Sequence, residues 1–140
     1  MEVKSNEKVE FTKLWEKQLP KGMKFTFEVI GKESLWTQFS RIKCYPGSEK
    51  SLGQSIGEMI HVGPFTGPVK VSFKPYSRDN SGSVRDSVIK VVLVSNGVWT
   101  LYMEDGGGRD YNDYVVRVVR NNAKEELCII EESISKIDKD

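Results

Sequence analysis

The segment EDGGGRDYNDY, Glu104 to Tyr114, is where this sequence concentrates its chemistry. Glu104, Asp105, Asp110 and Asp113 bring carboxylates and Asn112 an amide, with Gly106, Gly107 and Gly108 between them. Calcium takes about six to eight oxygens from such groups, and glycine lets a backbone fold sharply enough to gather them. Carboxylates held this close repel one another unless a counter-ion intervenes. Two readings therefore stand: an acidic hairpin tip kept wet by solvent, or a convergent cation site. The order of an EF-hand loop is absent. No Lys-Ser or Lys-Thr pair follows the glycines, so the segment is not a phosphate loop either.

Other reactive residues are sparse. His61 is the only histidine, which removes His-rich zinc sites and leaves any Ser-His-Asp triad dependent on one ring. It reads as a partly buried structural residue. Cys44 and Cys128 have no metal-ligand spacing and read as free thiols in preference to a disulfide. A hydrolase using Asp110 and Glu104 as a carboxylate pair lacks a defined nucleophile, so the reading is non-catalytic. Trp15, Trp36, Trp99, Tyr45, Tyr76 and Tyr102 offer rings on which sugars stack, but most are expected in the core. Tyr45 and Tyr76, each beside a proline in an apparent loop, are the expected exposed pair.

The elements that must hold these residues are strands. MKFTFEVI alternates apolar and polar side chains, and PVKVSFKPY repeats the pattern with Val69, Val71 and Phe73 inward. LWTQFSRIKCY, SIGEMIHV, DSVIKVVLVS, VWTLYME and DYVVRVVR are rich in β-branched and aromatic residues. Asn96-Gly97 between two of these is the strongest hairpin signal. The polar run SRDNSGSVRD reads as a solvated connection. The pattern predicts an all-β fold, an antiparallel β-sandwich, as one domain over 1–140 with 121–140 as an extension. In that extension Leu127, Ile130, Ile134 and Ile137 are spaced for a short C-terminal helix, and a final strand fits equally well.

Lysine and arginine number 21 against 20 acidic residues, a net charge of +1. No global field attracts nucleic acid or an anionic membrane. Arg41, Lys43, Lys70, Lys74, Arg117 and Arg120 alternate with apolar neighbours, as solvent-facing strand positions do. The N-terminal residues carry no apolar signal region and no run is long enough to span a bilayer. The expectation is a chain made in the cytoplasm without a signal peptide, with release or surface association left open, no transmembrane segment and no nucleic-acid partner.

EDGGGRDYNDYVVRV resembles the calcium-binding loop of the bacterial calcium-mediated lectins that bind fucose and mannose, Glu-Asp-Gly-x-Asp-x-Asp-Tyr-Asn-Asp before a valine-rich strand. GPVKVSFKPYS, SVIKVVLVSNGVWTLYM and LPKGMKFTFEVIGK are similar in order and pattern to that family's strands. The resemblance implies a carbohydrate-binding sandwich, with sugar hydroxyls coordinated directly to calcium. Glu104, Asp110, Asn112 and Asp113 match its calcium ligands and Asp105 a sugar contact, with Glu33 and Ser34 bordering the sugar by a loop alignment. A homodimer or higher oligomer is implied as well.

This chain departs from the pattern in ways that bear on the metal. The second loop aspartate falls at Gly108, followed by Arg109. Lys32, next to Glu33, stands where the family has an asparagine carbonyl ligand. The family ends on a glycine whose carboxylate reaches the partner's calcium, whereas this chain continues to Asp140. The expectation is one calcium ion or none. In the metal-free alternative, Lys32 and Arg109 neutralise Asp110 and Asp113, and the protein is a toxin-type or protein-interaction sandwich whose acidic turn is structural.

Overall fold

The computed structural model describes residues 8–105 and 113–122. Every regular element among them is a strand: β1 (Lys8–Thr12), β2 (Trp15–Leu19), β3 (Met23–Gly31), β4 (Thr37–Tyr45), β5 (Glu49–Leu52), β6 (Met59–Val62), β7 (Val69–Arg78), β8 (Val84–Asp86), β9 (Val88–Ser95), β10 (Val98–Glu104) and β11 (Tyr114–Asn122). They form two antiparallel sheets in a sandwich. One runs β1-β9-β10-β11-β3-β6; the other runs β2-β7-β4-β5, with β8 also paired to β7. The all-β sandwich read from alternation is the observed architecture. Asn121 and Asn122, the first residues of the proposed extension, belong to β11; residues 123–140, Cys128 among them, and Arg109, Asp110 and Asn112 lie outside the described residues.

The inward residues of both sheets meet in an aromatic core. Trp15 and Phe73 come from the five-stranded sheet, Phe25, Phe27 and Trp99 from the six-stranded one, and all are buried. Trp15 packs edge-on against Phe25 and Trp99, each with ring centroids 5.5 Å away, and Phe27 stacks on Phe73 at 5.7 Å. Burying one such side chain contributes about 1.5–3 kcal/mol, and a favourable ring pair about 0.5–1.5 kcal/mol more.

The structure differs from the sequence reading at several positions. β1, β2, β5 and β8 are additional strands. β8 lies within the polar run SRDNSGSVRD, which forms a hairpin rather than an open connection. Its turn is closed by Asp79, whose Oδ1 accepts the Ser81 and Ser83 amides at 3.0 Å each. Tyr76 lies in β7 and Tyr45 ends β4, so neither is a loop residue. His61 is exposed on the edge strand β6, its Nδ1 2.9 Å from the Thr26 hydroxyl. Asn96-Gly97 does turn β9 into β10, with Gly97 at a φ of 80°. Cys44 is a buried free thiol.

β10 and β11 lie side by side inside the six-stranded sheet, and β3 flanks β11 on its far edge. Gly31, the last residue of β3, pairs with Val115 so closely that a Cβ there would meet Val115 Cβ at 3.2 Å. The chain therefore leaves β3 beside the first residues of β11. It then crosses to β4 in the other sheet, carrying residues 32–36 past Asp105 and Asp113.

Candidate functional site

Glu104 closes β10, Asp105 follows it, and Asp113 immediately precedes β11. The Met103↔Tyr114 pair holds these strand ends in register. Tyr114 anchors this end across the sandwich. Its ring is fully buried, and its hydroxyl donates to the Gly53 carbonyl at 2.7 Å and lies 3.2 Å from the Ser40 hydroxyl. Burial raises its phenol pKa, so the group stays a neutral donor.

One carboxylate oxygen from each of Glu104, Asp105 and Asp113 lies within 4.8 Å of the other two. Glu104 is buried, while Asp105 and Asp113 are half-buried. Asp105 and Asp113 are tied into the surrounding structure. Asp105 Oδ2 accepts the Ser34 hydroxyl and, at 2.7 Å, the Gln38 side-chain amide. The Asp105 amide in turn donates to Asp113 Oδ2 at 2.9 Å. The Asp113 carbonyl accepts the backbone amides of Glu33 at 3.2 Å and Ser34 at 3.4 Å. Ser34 Oγ also accepts the Trp36 amide at 3.0 Å, fixing the bend of the crossing segment.

The electrostatics follow from that crowding. Asp113 is pushed up to about 7, first by burial, then by the neighbouring carboxyls of Asp105 and Glu104, against the amide of Asp105 that favours its charged form. Lys32 is not among the groups acting on Asp113 and forms no ion pair with it.

The donor set fits a hard cation. All its ligands are oxygens, which excludes the nitrogen and sulfur preference of zinc. Two oxygens on one calcium ion lie at most about 5 Å apart, given metal–oxygen distances of about 2.3–2.6 Å. The spacing of Glu104, Asp105 and Asp113 is within that span.

The residues named from sequence thus separate into two groups. Glu104, Asp105, Asp113 and Ser34 converge at the β10–β11 turn, and exposed Glu33 joins them through its backbone amide. Asp105, read as a sugar contact, also stands within the group of carboxylates able to hold a metal. Asp110 and Asn112 lie outside the described residues. Sequence reasoning missed Gln38, buried on β4 and bonded to Asp105. Alternation marks it as inward-facing, and an inward-facing glutamine on an apolar strand is the only signal it offers. Leu35, between Ser34 and Trp36, is 97% exposed and was also missed.

No protein-family model matches this chain, and no curated protein matches it in sequence. Among solved structures, a Chromobacterium violaceum lectin in complex with alpha-methyl-fucoside is similar, with 23% identity over 74% of this chain and 92% of that chain and a TM-score of 0.47.

Proposed function

We propose that this protein is a non-catalytic carbohydrate-binding protein that takes sugar at a calcium site on the β10–β11 turn. The observation that carries the reading is the convergence of Glu104, Asp105 and Asp113 within 4.8 Å of one another. The loop resemblance to calcium-mediated lectins supports it independently of that geometry. Glu104 and Asp113 would hold the ion with Asp110 and Asn112, and one ion is the stoichiometry these ligands favour. Calcium so held supplies ion–dipole attraction for vicinal sugar hydroxyls, which replace its waters. Asp105 remains the sugar-facing carboxylate, oriented by Ser34 and Gln38, with Glu33 on the rim. Fucose- and mannose-type sugars are the first class to examine, and a homodimer is the assembly we expect.

A second reading has its own observation. The carboxylates already accept hydrogen bonds from Ser34, Gln38 and the Asp105 amide, so they can serve as a structural tie without metal. The protein would then be an interaction-type sandwich. Calorimetric calcium titration of chelator-stripped protein separates the two. Lectin function predicts saturable binding and a melting rise of roughly 5–10 °C at saturation, since a ligand selective for the native state stabilises it. Glycan binding should then disappear on adding chelator. Absence of both the heat and the melting shift would establish the structural reading.

A further inference from the structure

The outer face of the five-stranded sheet carries a second feature, none of whose residues belongs to the carboxylate cluster. On β4 the outward positions are Phe39, Arg41, Lys43 and Tyr45, and their partners on β7 are Tyr76, Lys74, Ser72 and Lys70. Cations that sequence could describe only as scattered solvent-facing positions therefore stand together on adjacent strands. Arg117 and Arg120 belong to the other sheet.

Two adjoining depressions lie on this face, of about 380 and 150 Å³, and they share Arg41, Lys43 and Tyr76. The surface is therefore a track rather than a single cup. Around the larger one stand Arg41, Lys43 and Arg78 against one carboxylate, Glu49. Arg41 is directly opposite Lys74, a like-charge pair that costs the sheet stability. Glu49 offsets Arg41 at 3.5 Å and Asp86 offsets Lys74 at 3.5 Å, both exposed enough for solvent to weaken them. Lys43 and Arg78 have no carboxylate partner among the described residues. The excess positive charge calls for an anionic occupant.

The rings decide which kind. Single-stranded nucleic acid draws much of its affinity from bases stacking on open aromatic faces. Here Phe39 and Tyr76 stack on each other, centroids 5.3 Å apart and planes at 17°. Arg78 lies over Phe39 at 6.0 Å, Lys74 over Tyr76 at 5.8 Å and Lys70 over Tyr45 at 5.0 Å. The ring faces are engaged in holding cations in place, so they offer bases little platform. Guanidinium and ammonium groups fixed along a track suit sulfate and carboxylate groups repeated along a polymer, with arginine able to grip each group by two hydrogen bonds.

We infer that this face binds a sulfated polysaccharide, independently of calcium and of the acidic turn. The test is titration of a heparin oligosaccharide in chelator across a salt series, for the wild type and for Lys43→Ser/Arg78→Ser. A chemically desulfated heparin oligosaccharide and a single-stranded oligothymidylate of matched length are run alongside. The expected result is heparin binding that weakens at least tenfold in the double variant, with the salt slope falling by about 1 per cation removed. Unliganded melting reports whether the variant is folded, and Lys43→Gln alone, expected to give a smaller loss, serves if it is not. Equal heparin binding by wild type and folded variants overturns the inference. So does desulfated heparin or oligothymidylate binding as tightly as heparin at the same salt. Calcium titration of the same variants keeps the two sites apart, since failure at the acidic turn leaves the heparin result untouched.

Discussion

Asp113 carries the most consequential single-residue behaviour. Its carboxyl, ordinarily near 3.8, titrates at about 7 in the folded chain because burial and the Asp105 and Glu104 carboxyls oppose its charge. A carboxyl raised on folding binds its proton more tightly in the native than in the unfolded state. Its contribution is complete below the unfolded value and is lost as pH rises through the folded one. In chelator, stability is therefore expected to fall between about pH 4 and pH 7 and to level off above. Asp113→Asn should remove that slope, melt higher than the wild type at pH 7 without calcium, and gain nothing when calcium is added. Melting curves across pH, with and without calcium, check all three. At this scale the sequence was legible wherever side chains cluster along the chain, as Glu104, Asp105 and Asp113 do. Gln38 was not, because its bond to Asp105 spans 67 positions and exists only once two sheets have been packed.

Strands place these side chains, and Tyr114 is the pin that sets where β11 begins. Tyr114→Phe removes a donor from the Gly53 carbonyl and leaves the ring's packing in place. A loss of about 1–2 kcal/mol by chemical denaturation is expected, the range for an unmade buried hydrogen bond. Calcium affinity should weaken with it, since Asp113 is the adjacent residue. The longer strands could be read because alternation over eight or more residues, as in Met23–Gly31, has no rival interpretation. β2, β5 and β8 could not. WEKQL has apolar residues only at its ends, EKSL has only one, and Val84–Asp86 is exposed throughout. Each is a strand because β7 or β4 offers it an edge, and that is information about a partner rather than about the segment.

Across the whole molecule, a net charge of +1 conceals a separation: carboxylates gather at one turn while cations line the outer face of the opposite sheet. Composition averages the two away, which is why neither surface could be inferred from charge alone. The crossing segment 32–36 joins them in another sense. It is the passage from the six-stranded to the five-stranded sheet, and Ser34 ties it to Asp105 across 71 positions of sequence. A cation held at the turn would rivet that passage shut. Such a rivet joins parts far apart in the chain, and contacts of that kind form late in folding and break early in unfolding. Calcium is accordingly expected to slow unfolding at least tenfold while leaving the folding rate nearly unchanged, which stopped-flow denaturant jumps would reveal. Ion concentration would then govern how long each native molecule lasts, making the turn a timer on the protein's survival as well as a place for ligand.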